Sequence, residues 1–173
     1  GEVRLRITAK AETADEADRM CAPVVDEICS RLGDVVYGTD MNSIEERVVA
    51  LLKEKGKKIA TAESCTAGYI PKRLTDIPGA SEVFECGIVS YSNDIKTKLL
   101  GVSPKTLETY GAVSEQTARE MALGAKHVSG ADIAISTTGL AGPGGDGVLP
   151  GGLSFAAVTD GERTVVEKIV TGH

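Results

Sequence analysis

Residues 57–68 read KKIATAESCTAG, which describes a buried strand running into a sharp turn. Lys57 to Ala62 is predicted to be the strand, and a helix is predicted to follow the turn. Pro71 lies early in that helix, which is tolerated only near the first turn, and Pro78-Gly79 closes the unit. A turn of this kind lies at the carboxyl end of a sheet, where ligands bind in open α/β folds.

The segments on either side of this unit predict further strands and helices. A capping sequence opens a helix from Ser43 to about Lys55, and Ser114 caps another helix. A tight turn at Asp160-Gly161 joins two strands into a hairpin. We therefore predict an α/β fold, a three-layer α/β/α domain built on a mixed sheet. The other predicted elements are the strands Val83–Ser90, Asp132–Thr137, Leu153–Thr159 and Thr164–Val170 and the helix Asp94–Leu100.

The N-terminal part of the chain predicts a smaller β-α-β unit. Val3 to Lys10 alternates apolar and polar residues, which is typical of a half-buried strand. A capping sequence at Thr13 starts a helix, in which Pro23 predicts a kink or a later start. Val35 to Tyr37 is predicted to be a second strand, and Gly38 to Asn42 a linker. Such a unit is too small to be stable alone.

The composition predicts a core without large aromatic side chains. Of the 173 residues, 42% are apolar, but only 3% are aromatic and tryptophan is absent. Valine, isoleucine, leucine and alanine must therefore form the core, as in sheets covered by helices. The length suits one domain with a small appendage.

The charge distribution argues against a nucleic-acid partner. The net charge is −6, and residues 1–40 account for −4, with nine acidic and five basic residues. The rest of the chain, with 16 acidic and 14 basic residues, carries −2. A protein that binds a phosphate backbone normally has a basic face. A small anionic ligand is still compatible with this charge, because backbone N–H groups can bind phosphate.

The four cysteines and two histidines form no recognisable metal or disulfide pattern, so neither a structural zinc site nor a disulfide framework is expected. Free thiols fit a reducing cytoplasm, where we expect the protein to reside. No apolar run approaches the roughly 20 residues of a membrane span, and no signal peptide is visible. Because the chain begins at Gly1 and stops after a predicted strand, we expect it to be a piece of a longer protein.

Ser64 is the first candidate nucleophile, because it lies on the turn between strand and helix. The backbone N–H groups of Thr66, Ala67 and Gly68 would be free at the helix start and could hold an oxyanion or a phosphate. Glu63 and the Thr66 side chain add polar groups at the same rim. The alternative is that Ser64 or Thr66 merely caps the helix.

Lys96 is the candidate base that a serine nucleophile needs. His127 falls near a helix end and His173 is the last residue, so neither histidine is well placed. Lys96 follows the carboxyl end of the second predicted strand, and it lies beside Ser64 if the two strands are neighbours. A lysine can act as a base only when burial lowers its pKa. The alternative for Lys96 is an ordinary solvated lysine on the surface. Tyr91 could contact the substrate or orient Lys96, and its alternative is a half-buried tyrosine of the strand.

A glycine-rich loop, Gly139 to Gly152, follows the third predicted strand. Its first part belongs to the sequence TTGLAGPGG at residues 137–145. Glycines let the backbone approach a ligand closely. The loop lacks the Lys-Ser/Thr ending of a P-loop and the spacing of a dinucleotide fingerprint. The alternative interpretation is a flexible connection without a binding role.

Taken together, four segments resemble the CinA C-terminal family, in that family's order and at its spacing across residues 44–171. The segments are TAESCTAG at 61–68, VSYSN at 89–93 with Lys96, GAVSE at 111–115 and TGLAGP at 138–143. The resemblance implies a deamidase domain over residues 41–173, preceded by a small α+β KH-like connector over residues 1–40. It implies hydrolysis of the carboxamide of nicotinamide mononucleotide to nicotinic acid mononucleotide and ammonia, a reaction of NAD salvage.

The resemblance also implies roles for individual residues. Ser64 would attack the amide carbon, Lys96 would take the proton of Ser64 and later pass one to ammonia, and Tyr91 would assist. Backbone N–H groups of the turn or of the glycine-rich loop would hold the oxyanion and the ribose phosphate. Neither a metal nor a cofactor would be needed. The residues implied in substrate binding are Glu63, Cys65, Thr66, Ala67, Gly68, Asn93, Thr138, Gly139, Gly142 and Gly144.

Two other hypotheses stay open. The chain could be a catalytically impaired nucleotide-binding or scaffolding module of a larger protein, because Leu149 precedes Pro150 where the family has a basic residue and the family's closing helix is absent. Residues 1–40 could bind RNA as other KH-like folds do, although their charge and the lack of a GxxG clamp argue against it. We expect a homo-oligomer, a dimer, in the full-length protein and no membrane partner.

Overall fold

The structure is a computed structural model that describes residues 2–171. The chain divides into two compact units, residues 1–44 and residues 45–173. Within residues 2–171, every helix is too short or too polar to span a lipid bilayer.

The first unit is built around a single long helix, α1, which spans Ala14–Leu32. The Thr13 hydroxyl accepts a hydrogen bond from Glu16 N at 3.3 Å, so the predicted cap is confirmed. The helix continues through Pro23, and the predicted alternative of a later start is therefore wrong. No residue of α1 is fully buried.

The two strands predicted in this unit are not formed. Residues 2–11 adopt no regular secondary structure. Of the second strand expected at Val35–Tyr37, Val35 ends a 3₁₀ helix that spans Gly33–Val35, and residues 36–37 have no regular structure. Val3 is 83% exposed and Leu5 is 55% exposed. Alternation predicts a strand only where a neighbouring strand completes its hydrogen bonds and a layer covers its apolar face. Neither condition is met within the unit itself.

The second unit contains a five-stranded mixed sheet with the strand order β2-β1-β3-β4-β5. β1 pairs in parallel with β2 and β3, whereas β4 pairs antiparallel with β3 and β5. The predicted mixed sheet and its C-terminal hairpin are therefore confirmed. The hairpin turn is tight, as expected, because Asp160 N donates to Arg163 O at 3.2 Å, and its tip is formed by Gly161 and Glu162, one residue later than the predicted Asp160-Gly161. Asp160 Oδ1 also accepts from Glu162 N and Arg163 N. The strands are β1 (Ile59–Glu63), β2 (Phe84–Val89), β3 (Ile133–Gly139), β4 (Leu153–Thr159) and β5 (Thr164–Val170).

Within residues 2–171, five α-helices and a 3₁₀ helix at Ala80–Glu82 accompany the sheet. Ser92 and Ser114 cap α4 and α6 through their side chains, and Pro71 is the third residue of α3, where proline is tolerated. The sequence interpretation missed α5, although its proline at the first helical position, after Ser103, is a recognised start signal. The helices are α2 (Ile44–Glu54), α3 (Tyr69–Thr75), α4 (Asn93–Leu100), α5 (Pro104–Tyr110) and α6 (Glu115–Ser129).

Alternate residues of β1 point into two different helical layers. Ile59 packs in a cluster with Leu52 of α2 and Leu74 of α3. Ala62 packs instead with Leu100 of α4 and Met121 of α6. Since successive strand residues face opposite sides of a sheet, helices cover both faces. The predicted three-layer α/β/α architecture is confirmed.

The three parallel strands bring three chain segments to one edge of the sheet. β1 lies between the other two parallel strands, β2 and β3, and all five of its residues are buried. The turn at Ser64 follows β1, the start of α4 follows β2, and the glycine-rich loop follows β3. Parallel strands end at the same edge, so these segments converge where ligands bind in such folds.

Candidate active site

The Ser64 turn is anchored to both neighbouring strands. Ser64 N donates to Thr137 O of β3 at 3.0 Å, and Ser90 N, just after β2, donates to Glu63 O at 2.7 Å. The hydrogen bonding of β1 with each neighbouring strand therefore reaches the turn. Ala67 then adopts a φ of 50° and Gly68 a φ of 95°. A left-handed non-glycine residue is uncommon and strained, and such residues cluster at functional sites.

The interpretation of Ser64 or Thr66 as a helix cap is wrong. The residue that precedes α3 is Gly68, and no side chain caps that helix. Ser64 Oγ instead lies 3.0 Å from Lys96 Nζ. The Thr66 hydroxyl pairs with the Thr137 hydroxyl at 2.6 Å. Both hydroxyls of the turn are therefore committed to partners outside the helix.

The backbone donors of the turn differ from the prediction in one respect. Ala67 N donates to Ser64 O at 3.2 Å, so this group is not free, contrary to expectation. Among the described residues, no backbone carbonyl accepts from the N–H groups of Cys65, Thr66 or Gly68. These three N–H groups lie on the turn directly after Ser64, and those of Cys65 and Thr66 also hydrogen bond the Cys65 sulfur. They can stabilise negative charge on an oxygen bound beside Ser64.

Lys96 is almost completely buried, with 1% of its surface exposed. Its Nζ donates to Ser90 O at 2.8 Å and to Tyr91 O at 3.1 Å, besides the contact with Ser64 Oγ. Burial lowers the pKa of Lys96, and only the nearby Cys65 acts in the opposite direction. The alternative of a solvated surface lysine is therefore wrong. The environment favours the neutral amine, which is the basic form.

The three oxygens around Lys96 Nζ can be served by both protonation states of the amine, since the protonated form can donate to all three. A neutral amine carries two N–H donors and one lone pair. The two N–H groups can serve the carbonyls of Ser90 and Tyr91, and the lone pair can accept the Ser64 hydroxyl proton. The geometry therefore suits proton transfer from Ser64 to Lys96.

Tyr91 reaches Lys96 through its main chain. Its side chain is 74% exposed, so the half-buried strand tyrosine considered from the sequence is wrong. Sequence reasoning missed Ser90, which is fully buried and supplies the shorter of the two carbonyl contacts. The position of Ser90 at the end of a predicted strand was the available signal, because carbonyls at strand ends lack a partner on the neighbouring strand.

Glu63 does not lie at the open rim, contrary to expectation. The side chain is 1% exposed and points beneath α3, where Oε2 accepts from Ile70 N at 3.1 Å. Cys65, next to the nucleophile candidate, is partly buried, and burial raises the pKa of its thiol. Asn93 is exposed at the first turn of α4. Of these three residues, Cys65 and Asn93 are the ones with surface open to a ligand.

The glycine-rich loop divides into a structural part and an open part. Thr138 is buried and donates to Ala112 O at 2.6 Å, while a Cβ on Gly139 would overlap Ser154 on the neighbouring strand. Gly142 and Gly144 are exposed, and a Cβ on either would meet no atom within 4 Å. Only the open part can therefore approach a ligand.

The loop is not a flexible connection without internal structure. Gly152 N donates to Leu140 O at 2.7 Å, which extends the pairing of β3 and β4. Asp146 Oδ1 accepts from Val148 N and Leu149 N, and these backbone donors lower the pKa of Asp146. Within residues 2–171, no cluster of three or more His, Cys, Asp or Glu side chains could hold a metal ion.

The arrangement can support acyl transfer without further groups. A serine hydroxyl contacts a buried amine, and three N–H groups that no backbone carbonyl accepts lie on the same turn. A nucleophile with an adjacent base and an oxyanion-binding set of N–H groups are the parts that such a reaction requires.

Comparison with known proteins identifies the family. The model of the CinA C-terminal domain matches residues 41–173, and that of the damage-inducible protein CinA KH domain matches residues 1–38. A CinA-like protein of Kosmotoga olearia is 46% identical over 173 residues, covering 99% of this chain and 42% of that protein. A CinA-like protein of Desulfovibrio desulfuricans is 49% identical over 159 residues, covering 91% of this chain and 37% of that protein.

Solved structures agree with this assignment. The crystal structure of the competence/damage inducible protein CihA from Agrobacterium tumefaciens superposes with a TM-score of 0.72 at 39% identity, covering 78% of this chain and 86% of that one. The chain spans about two fifths of the length of the two curated relatives described above. On these matches the chain belongs to the CinA family of competence/damage-inducible proteins.

Proposed function

We propose that this chain is an amidohydrolase that converts nicotinamide mononucleotide to nicotinic acid mononucleotide and ammonia. The observation that carries the proposal is the 3.0 Å contact between Ser64 Oγ and the buried Lys96 Nζ. A lysine whose pKa is lowered by burial can act as a base toward a serine hydroxyl. The family resemblance of the four segments supports the choice of a carboxamide as substrate.

The reaction proceeds through an ester on Ser64. Ser64 Oγ attacks the amide carbon while its proton passes to Lys96 Nζ, and the carbonyl oxygen becomes an oxyanion. Lys96 then gives this proton to the amide nitrogen, the C–N bond breaks and ammonia leaves. Water attacks the ester, again giving a proton to Lys96, which returns it to Ser64 Oγ as the carboxylic acid departs.

Two sets of backbone donors bind the polar groups of the substrate. The N–H groups of Cys65, Thr66 and Gly68 hold the oxyanion next to Ser64. The open part of the glycine-rich loop holds the phosphate, through N–H groups rather than charge. Asp146 is the one charged residue between positions 139 and 152, so the loop offers no cationic side chain. The loop would therefore bind the phosphate through backbone donors alone.

Ammonia release from nicotinamide mononucleotide tests this function. Ser64→Ala removes the nucleophile, and we expect a loss of at least about 10³-fold in kcat. Ser81→Ala is the matched control, since Ser81 is exposed and lies on the 3₁₀ segment Ala80–Glu82. Ammonia release that is equal in both variants would contradict the proposal.

A second candidate function is a binding module without turnover. The absence of a cationic side chain in residues 139–152 favours this alternative, because a phosphate held by backbone alone is held less tightly. Calorimetry with nicotinamide mononucleotide separates the two functions. Binding that Ser64→Ala leaves unchanged, with no ammonia from any variant, would favour the binding module over the enzyme.

A further inference from the structure

A buried polar cluster lies beneath the Ser64 turn, on the sheet face opposite to Lys96. Thr61 and Glu63 are alternate residues of β1, and they are 0% and 1% exposed. Both side chains face the layer of α3, since Glu63 Oε2 accepts from Ile70 N. Ala62, between them, faces the layer that contains α4 and therefore Lys96.

Two oxygens of this cluster have no partner in the part of the chain that the structure describes. They are Thr61 Oγ1 and Glu63 Oε1, each with essentially no exposed surface. Buried polar atoms in folded proteins are nearly always hydrogen bonded, and the common partner is an ordered water when no protein group is available. A carboxylate oxygen in particular requires a donor, because burying it unpaired is costly.

Pro71 of α3 packs closely against the strands beside Thr61. Gly87 lies opposite Thr61 in the pairing of β1 with β2. A Cβ on Gly87 would lie 3.1 Å from Thr61 Oγ1 and equally close to the Pro71 ring. The absence of a side chain at Gly87 therefore lets α3 approach β1 and β2 closely beside Thr61.

Glu63 connects both ends of the turn that carries the nucleophile. Its main-chain oxygen accepts from Ser90 N at 2.7 Å, before the turn, and its carboxylate accepts from Ile70 N at 3.1 Å, after the turn. We propose that Glu63 is a positioning residue which, with one ordered water shared with Thr61, fixes the turn that directs Ser64 toward Lys96. This inference rests on Ser64 being the nucleophile of the proposed function.

The proposal gives the water a defined set of hydrogen bonds. The water donates to Glu63 Oε1 and accepts from the Thr61 hydroxyl, so both unpaired oxygens are satisfied. Glu63 touches neither Ser64 Oγ nor Lys96 Nζ and takes no proton from the substrate. Its effect on the reaction is therefore geometric.

Two variants of Glu63 separate positioning from acid-base chemistry. Glu63→Gln keeps an oxygen for Ile70 N and an amide group for the water, so we expect a Ser64 reactivity close to that of the unaltered chain. Glu63→Leu removes both interactions, and a misplacement of the order of 1 Å lowers reactivity about 10²-fold. Glu85→Gln and Glu85→Leu are matched controls on the exposed surface of β2, and we expect neither to change the rate.

The readout is the rate at which an alkyl fluorophosphonate labels Ser64, measured against pH by mass spectrometry of the Ser64 peptide. This rate does not require ammonia release, so failure of the proposed substrate and failure of this inference are distinguishable. Positioning predicts that Glu63→Leu slows labelling without moving the midpoint of its pH dependence. A Glu63→Gln variant as slow as Glu63→Leu, with a shifted midpoint, would overturn the proposal, as would unchanged labelling in Glu63→Leu.

A high-resolution crystal structure of the full chain and of Glu63→Gln tests the water directly. We expect one water within hydrogen-bonding distance of both Thr61 Oγ1 and the side chain of residue 63 in each structure. A dry space, a bound cation, or a Glu63 side chain turned to the surface would overturn the proposal even if Glu63→Leu fails to fold.

Discussion

The turn after β1 and the loop after β3 leave adjacent parallel strands at the same edge of the sheet, but their environments are opposite. Ser64 is 8% exposed and its partner Lys96 is 1% exposed. Gly142 and Gly144, in the loop, are exposed and border open space. Burial changes the chemistry of an ordinary lysine, whereas an exposed glycine loop offers only backbone donors.

This contrast assigns different parts of the reaction to the two segments. The turn is held by both neighbouring strands and by Ile70 N, so its groups keep a fixed geometry. The loop is held mainly by its own hydrogen bonds and by the end of β4. Changes in the turn should therefore lower kcat, and changes in the loop should raise KM. Four variants and one pH measurement test whether the turn determines kcat and the loop determines KM.

The largest effect is expected from Lys96→Arg. An arginine stays protonated and cannot accept the Ser64 proton, so kcat for ammonia release should fall by about 10²–10⁴-fold. Lys98→Arg is the control, because Lys98 is exposed on the same helix. A Lys96→Arg variant that retains wild-type kcat would show that Lys96 is not the base.

The second largest effect is expected on the free energy of unfolding of Lys96→Met. Lys96→Met replaces a buried amine by an apolar side chain of similar size but leaves the carbonyls of Ser90 and Tyr91 without this donor, so urea unfolding should give a free energy that is lower by no more than about 3 kcal/mol. Burial lowers the pKa of Lys96, so the unfolded chain binds the proton more tightly. Stability should therefore rise with pH between the lowered pKa and the ordinary lysine value, and Lys96→Met should lose this rise. A loss of stability greater than about 3 kcal/mol in Lys96→Met would indicate a structural role for the amine.

A smaller effect is expected in the loop. Gly142→Ala adds a methyl group that meets no protein atom, so folding should be unchanged. If the backbone there approaches the phosphate, the methyl group should raise KM by about tenfold, the loss of one good contact, with kcat preserved. Val148→Ala is the control, since Val148 is 88% exposed in the same loop. An effect on kcat alone would contradict the division between turn and loop.

The smallest effect is expected from Tyr91→Phe. The Tyr91 carbonyl contacts Lys96 at 3.1 Å and survives this substitution, while the side chain is mostly exposed. Steady-state rates of ammonia release should therefore stay close to wild type. A loss comparable to that of Lys96→Arg would assign the phenol a direct part in the reaction.

The sequence predicted correctly those features that depend on neighbouring residues along the chain or on the order of the strands. The hairpin, the caps at Thr13 and Ser114 and the placement of Lys96 beside Ser64 were all predictable. The last of these follows from a general property, since residues after neighbouring parallel strands meet at one edge.

The remaining features depend on tertiary contacts that a residue pattern does not encode. Lys96 is held by the carbonyls of Ser90 and Tyr91, and any residue type supplies a carbonyl. The burial of Glu63 beneath α3 depends on how that helix packs. The alternation at Val3–Lys10 has the period of a strand, but within its unit no neighbouring strand pairs with it.

The pH dependence of kcat/KM for ammonia release from nicotinamide mononucleotide tests the central claim, that a neutral Lys96 activates Ser64. Rising pH removes the proton from Lys96, so the account predicts that kcat/KM increases with pH through one ionisation whose midpoint lies below the ordinary lysine pKa. A rate that does not depend on pH across this range, or one that falls as pH rises, would contradict the claim.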